Sequence, residues 1–209
     1  SMMARLTRDY CDETVDEVYI DDKEFFDNFI GAKRLFLPHH DLKIEHHSDL
    51  TPIFSKHKIE KQVQTVYKRN INLPSGGNIV IDSTEALVSI DVNSARSTKG
   101  SDIEETALNT NIEAAVEILT QLKLRDIGGL VVIDFIDMMS INSQKNVMRK
   151  VAEYAKKDKA KIQFARISKF GLMELSRQKL KSSIIQNNYE NCPTCDGTGQ
   201  IKSLSSLAI

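Results

Sequence analysis

Two apolar runs in this sequence end in carboxylates: Ile90-Asp91-Val92-Asn93 and Ile133-Asp134-Phe135-Ile136-Asp137. Hydrophobic residues just ahead of an aspartate read as a strand delivering its carboxylate to the edge of a sheet. Layered α/β proteins bind ligands and do chemistry at that edge. Two carboxylates brought together repel each other unless a cation lies between them. Mg²⁺ suits such a pair, because it takes hard oxygen ligands and keeps several waters. Asn93 follows Asp91 by two positions and shares its face on an extended chain, where its amide could hold Asp91 or reach a substrate. Each aspartate could equally cap its strand or the next helix. The pattern by itself fits a phosphatase, a nuclease or a nucleotide-binding protein. The following loop, Ser94 to Gly100, adds Arg96 and Lys99, which suit phosphate contacts or simple solvation.

A second constellation lies near the C-terminus, in Cys192-Pro193-Thr194-Cys195-Asp196-Gly197-Thr198-Gly199. Cys-x-x-Cys spacing lets two thiolates grip one Zn²⁺, and the glycines permit the turn around it. A structural Zn²⁺ takes four protein ligands and this hook supplies two. Cys11 is alone, and His39-His40 and His46-His47 lack finger spacing. The simplest completion is symmetric, with Cys192 and Cys195 of two copies sharing one ion. A redox dithiol and a co-chaperone-type zinc repeat are the alternatives. No helix is expected after the hook, and only one copy of the repeat is present.

Alternating strands and helices are needed to position the carboxylates. Glu17 to Ile20 and Lys43 to Glu45 read as short strands, with Asp21-Asp22 opening a helix between them. His46 to Asp49 reads as a loop, and Lys58 to Lys68 has helical spacing. A turn cluster, Leu73 to Asn78, precedes two extended runs, Ile79 to Asp82 and Ala86 to Asp91. Glu104 to Lys123 predicts a long amphipathic helix with Ala107, Ala114, Ala115, Ile118 and Leu122 on its apolar side. Leu130 to Phe135 reads as a strand buried on both faces. Asn142 to Lys157 predicts a second helix, and Ile162 to Ala165 and Leu172 to Leu175 further strands. The pattern implies an α/β layered domain, with a domain boundary near residues 66–72.

Bulk properties narrow the field. The 209 residues are 41% hydrophobic and 27% charged, with a formal net charge of −1. That is ordinary for a globular protein, and it is not the polycation that advertises nucleic-acid binding. No apolar run reaches the roughly 18 residues of a membrane span. Three cysteines, an odd number, do not fit a secreted disulfide scaffold. Ser1-Met2-Met3 reads as an expression scar and an internal start, so a cytoplasmic setting is expected.

Taken together, the motifs resemble the ribonuclease E/G family. The resemblance is densest in Leu73-Pro74-Ser75-Gly76-Gly77, in Ile81 to Leu87 and in Ile90 to Arg96. It continues through Asp102 to Ala107 with Asn109-Thr110-Asn111, Leu124 to Leu130 and Ile133 to Met138. It closes with Phe170-Gly171-Leu172 and the cysteine hook. The Ser-Ala-Arg loop and the Asp-Ile-Glu-Glu stretch look more like the ribonuclease E branch than the G branch.

The resemblance implies a deoxyribonuclease-I-like layered α/β catalytic subdomain over residues 67–190. Part of a ribonuclease-H-like subdomain would precede it over 1–66, and a zinc link (191–202) and tail (203–209) would follow. It implies that Asp91 and Asp134 ligate a catalytic Mg²⁺, with Asn93 supporting Asp91 and the scissile phosphate. The implied reaction is hydrolysis of single-stranded, AU-rich RNA to 5′-phosphate and 3′-hydroxyl ends. Arg96, Lys99, Arg125, Lys161 and Lys169 are the expected RNA contacts. Lys161 stands where the family's 5′-monophosphate pocket uses arginine, which keeps the charge and loses the bidentate fork. Two protomers would join through one Zn²⁺ held by Cys192 and Cys195 of each. An upstream OB-fold and 5′-sensor, and a small domain after Lys202 that pairs dimers into tetramers, are further expectations. So are partners in an RNA-decay complex and membrane association through other regions.

Overall fold

The computed structural model describes the chain apart from residues 1–2, 4–5, 8–9, 12–14, 40, 95–102, 185–189, 191, 196, 198, 200, 202, 204–205 and 207–209. It is a mixed α/β protein that divides into two compact units, Ser1–Gln64 and Thr65–Ile209.

In the first unit, strands β1 (Glu17–Ile20) and β2 (Lys43–His46) pair in parallel. Parallel neighbours need a crossover, and helix α1 (Lys23–Phe36) supplies it. Asp22 starts that helix: its carboxylate accepts the Phe25 N–H at 2.6 Å, an N-cap that satisfies one of the helix's orphan donors. Cys11, Ile20, Phe29 and Leu42 form a small core beside these elements. Two short helices follow, α2 (Ile53–Lys56) and α3 (Glu60–Thr65). The helix expected over Lys58 to Lys68 is therefore shorter. Lys58 takes a left-handed φ of 56°, which closes α2 and delays the next helical turn.

The second unit is built on one sheet of order β3-β4-β5-β6-β8-β7. Its strands are β3 (Asn70–Asn72), β4 (Asn78–Ser83), β5 (Val88–Asn93), β6 (Gly129–Asp134), β7 (Ile162–Phe164) and β8 (Leu172–Arg177). Only the β5–β6 pair is parallel. Helix α4 (Ile103–Leu124) makes that crossover, and α5 (Ile141–Ala155) follows β6. Ser140 caps α5 by accepting the Ser143 N–H.

Side-chain alternation decides what each face does. Val88, Ile90 and Val92 of β5 and Val131 and Ile133 of β6 are buried, with Ile79, Ile81, Met173 and Leu175 beside them. The helices cover this face with Ala107, Ala114, Ala115, Ile118 and Leu122 of α4 and Val147 and Val151 of α5. The apolar side expected for the long helix is the side that packs. Its alanines let the helix lie close to the sheet.

The intervening residues occupy the other face, and they are open. Leu130 is 46% exposed, and Ser89, Val132 and Glu174 lie on the same side of their strands. The expectation that Leu130 to Phe135 is buried on both faces is thus corrected. Among the described residues of this unit the helices cover only one side, so β6 alternates as a half-buried strand does.

Candidate active site

Asp91 and Asp134 are register partners at the C-terminal ends of the parallel pair β5 and β6. Both fall on the open face, because Ile90 and Ile133 point into the core. Neighbouring strands lie about 4.8 Å apart, so two aspartates on one face in one row are close enough for a single hydrated cation to bridge. The Asn93 amide donates to Asp91 Oδ2 at 2.7 Å, which fixes that carboxylate and leaves Oδ1 available. The spacing of two thus brings the Asn93 amide onto Asp91.

The carboxyl of Asp134 is raised above its ordinary range, first by burial and then by the charges of Asp91 and Asp137. Among the described residues no lysine or arginine pairs with it. Facing carboxylates that offer oxygen donors only, with the Asp91 charge helping to raise Asp134, fit a hard divalent cation such as Mg²⁺. Two side chains do not complete a metal shell. Among the described residues no three His, Cys, Asp or Glu groups converge on one point, and a cation that keeps several waters needs no more than the pair.

Three features outside the predicted set hold this edge in place. Asn111, fully buried in α4, donates to the Ile136 carbonyl at 2.8 Å and accepts the Ile136 N–H at 3.0 Å. Glu104, in the first turn of α4, accepts the backbone N–H groups of Met139 at 3.0 Å and Ser140 at 3.1 Å. Those bonds, with one from the Ser143 side chain, hold its carboxyl below the usual range. The segment after Asp134 is thus tied to the helix at two points. The third feature is Gly171, at φ +79°, where an added Cβ would lie 3.1 Å from the Phe135 carbonyl and 3.3 Å from Asp137 Oδ1. Only glycine takes that conformation and that approach without strain.

The Leu73–Gly77 turn serves β5 in the same way. A Cβ on Gly77 would come 2.6 Å from the Asn93 carbonyl. The turn closes on itself through Leu73 N–H to the Gly77 carbonyl at 2.7 Å, and Ser75 N–H donates to Glu113 at 2.9 Å.

The expected RNA contacts scatter. Arg96 and Lys99 lie outside the described residues. Lys169 is exposed in the turn before Gly171, at the carboxylate end of the sheet, with its ammonium 5.0 Å from the Phe170 ring centroid. Lys161 is exposed before β7, beside Arg177 and Gln178, which is the opposite end of the sheet from Asp134. Arg125 needs correction. It is 1% exposed, and its guanidinium donates to Gln121 Oε1 at 2.8 Å and to the Lys68 carbonyl at 2.7 Å. Its donors close off the end of α4, so it is a core arginine rather than a surface contact.

In the hook, Cys192 is exposed and Cys195 half-buried, while Cys11 sits in the core of the first unit. The Gly199 N–H donates to Cys195 Sγ at 3.3 Å. Backbone N–H groups of Thr194 and Cys195, and the Cys195 thiol, hold the Cys192 thiol below its ordinary range. Donors aimed at sulfur favour the thiolate, which is the metal-ligating form.

The Ribonuclease E/G family model matches residues 1–180. This chain belongs to the ribonuclease E/G family. Relatives include "Ribonuclease E" of Haemophilus influenzae, 47% identical over 208 residues that make up 100% of this chain and 22% of the relative. "Ribonuclease E" of Escherichia coli is 46% identical over 212 residues, 100% of this chain and 20% of the relative. "Ribonuclease G" of Salmonella typhimurium is 31% identical over 207 residues, 99% of this chain and 42% of the relative. The chain thus resembles the ribonuclease E branch more closely, and it spans about a fifth of the length of the two ribonuclease E relatives. In the Asn109-Thr110-Asn111 triplet, Asn111 is the member that bonds the Ile136 backbone. A polar residue in register with Ala107, Ala114 and Ala115 was the available signal for a buried hydrogen-bonding role.

Proposed function

We propose that this chain carries the hydrolytic centre of an endoribonuclease. The observation that supports it most directly is the pairing of Asp91 with Asp134 across two parallel strands, with no cation from the described residues beside them. Asp91 and Asp134 would hold one Mg²⁺, and Asn93 would keep Asp91 turned toward it. Mg²⁺ bound there supplies an activated water and offsets the charge that builds on a phosphodiester during displacement. The chain's own part is to hold both carboxylates rigid on strand ends, so that the phosphate is attacked without reorganisation. No nucleophilic side chain is needed. The substrate is single-stranded, AU-rich RNA, cut to 5′-phosphate and 3′-hydroxyl ends in RNA processing and decay.

We read residues 67–190 as a deoxyribonuclease-I-like subdomain and 1–66 as part of a ribonuclease-H-like one. We further propose that Cys192 and Cys195 of two protomers share one Zn²⁺, since the hook offers two thiolates and zinc takes four ligands. A dimer of this kind, its pairing into tetramers, a cytoplasmic setting and RNA-decay partners belong to the same reading. Among the described residues no helix is long and apolar enough to cross a membrane.

The test is cleavage of a single-stranded RNA by the full-length protein. Asp91→Asn or Asp134→Asn should each abolish Mg²⁺-dependent cleavage while leaving the fold unchanged. Full activity in both variants would remove the metal assignment. The lowered Cys192 thiol also favours a second reading, in which this part of the protein serves dimerisation alone. That reading predicts zinc-dependent self-association with unaltered cleavage in the aspartate variants.

A further inference from the structure

Phe170 is 70% exposed, whereas Phe135, thirty-five positions earlier and beside the same carboxylates, is 2% exposed. A large ring left in water at the rim of a site invites an account of what covers it. The turn that carries it is closed by three hydrogen bonds. Ser168 N–H donates to the Leu172 carbonyl at 2.8 Å, Gly171 N–H to the Ser168 carbonyl at 3.1 Å, and Phe170 N–H to Ser168 Oγ at 3.2 Å. Gly171 then seats this turn against Phe135, Asp137 and Asp134. The Phe170 Cα is one residue away, about 3.8 Å along the chain. The backbone that carries the ring is therefore held beside the carboxylates by a fixed scaffold.

Its surroundings select the chemistry of what it meets. The Lys169 ammonium sits 5.0 Å from the ring centroid, so an aromatic face and a positive charge come together. Single-stranded nucleic acid offers the complement of both, a π-face and a phosphate on each residue. In the row behind the pair, the open face of the sheet offers a polyanion no unpaired cation among the described residues. The row behind Asp91 and Asp134 carries the free carboxylate of Glu174, while its Asp82 is paired with the Arg69 guanidinium. The row of the pair itself ends in Leu172, next to the Phe170 turn. A strand whose phosphate lies at Asp91 and Asp134 is thus led across the end of the sheet, over Phe170 and Lys169.

Resting on the endoribonuclease reading above, we propose that Phe170 is a base-stacking residue. It holds one nucleobase of the single-stranded RNA beside the phosphate to be cut, and Lys169 engages a neighbouring phosphate. Stacking accepts any base, so Phe170 grips and aligns the strand and does not set sequence preference.

The experiment uses the full-length protein and a short single-stranded RNA carrying 2-aminopurine at each position in turn and a non-hydrolysable linkage at the cleavage site, bound in Mg²⁺ so that no metal is stripped and no cleavage occurs. The probe should be quenched at one or two positions next to the cleavage site. Phe170→Ala should remove that quenching and weaken binding about fivefold to a hundredfold, the range one base–aromatic stack supplies. Phe170→Trp should restore both. With a cleavable RNA in Mg²⁺, Phe170→Ala should raise KM by a similar factor with kcat little changed, a split that a merely structural role would not give. Lys169→Ala should lower the slope of log affinity against log salt by about one. Unchanged quenching and affinity in Phe170→Ala, while Asp134→Asn abolishes cleavage, would overturn the stacking proposal and leave the catalytic reading standing. Cleavage that survives Asp134→Asn, with quenching still lost in Phe170→Ala, would overturn the catalytic reading alone.

Discussion

Replacing Asn111 tests whether the edge that carries the two carboxylates is held by the helix behind it. Asn111 is fully buried and makes two hydrogen bonds to one residue, accepting from the Ile136 N–H at 3.0 Å and donating to its carbonyl at 2.8 Å. Asn111→Ala leaves both backbone groups without that partner. Each such group costs about 1–3 kcal/mol when water cannot replace the bond. Ile136 is half-buried, so water recovers part of the loss, and about 2–4 kcal/mol is expected in total. For a chain of this size that is roughly 5–12 °C in Tm. Asn111→Leu keeps the volume and loses only the hydrogen bonds, so it should match Asn111→Ala if hydrogen bonding dominates. Asn111→Asp should be worse than either, because its second oxygen faces the Ile136 carbonyl as a buried charge.

The assay is urea unfolding, read as a lowered midpoint with an unchanged slope, beside cleavage at a temperature where every variant is folded. Cleavage should fall at least tenfold, since Asp134 and Asp137 flank the segment that Asn111 holds. If Asn111→Ala and Asn111→Leu both stay within about 0.5 kcal/mol of the parent, the usual scatter of neutral substitutions, and cleave normally, the tie does no structural or functional work.

Arg177 and Asp158 form a buried pair at 2.8 Å, with side chains 2% and 6% exposed. Arg177→Ala should cost about 3–5 kcal/mol by stranding the carboxylate, measured by urea unfolding. Burial pushes Asp158 up, but the Arg177 guanidinium and the Ala160 N–H outweigh it and the carboxyl is lowered. Its contribution is therefore full above the unfolded value near 3.8 and disappears as pH falls through the lower folded value. The acid limb of a stability–pH profile should flatten in Asp158→Asn. Gly77→Ala places a methyl 2.6 Å from the Asn93 carbonyl. It should cost about 1–3 kcal/mol and reduce cleavage by displacing the end of β5, whereas Gly31→Ala, with nothing within 4 Å, should do neither. Chelating zinc, or Cys192→Ser or Cys195→Ser, should halve the mass in solution; a mass that ignores all three would exclude the shared ion.

Periodicity exposed most of the scaffold, because it records which side of an element meets the core. Ala107, Ala114, Ala115, Ile118 and Leu122 are buried as their spacing requires, and the Asp22 cap stands where a helix start was read. The failures share one cause, dependence on residues distant in sequence. The unbroken apolar run of β6 reads as doubly buried, yet Leu130 is open because no described helix lies on that side. Arg125 reads as a surface cation, and it is buried because the carbonyls of Lys68 and Thr65, 57 and 60 residues away, take its donors. Asp137 stood in the same run as Asp134, but that run could not show that the turn of Phe170 and Gly171 would close over both.

These ties explain how two strands come to place two carboxylates in one row. The alternation of β5 and β6 puts Ile90 and Ile133 inward and so puts Asp91 and Asp134 outward. A slip of one residue is forbidden, since it would bury the acids and expose the core. A slip of two would keep every residue on its proper face and still part the carboxylates by about 6.6 Å. Hydrophobic burial is nearly indifferent to that error, so the axial position must be set by contacts that do not repeat every second residue. Asn111 on Ile136, Glu104 on Met139 and Ser140, and Gly171 against Phe135 and Asp137 are contacts of that kind. The core selects the face that carries the carboxylates, and a few contacts that do not repeat along the strands select the row.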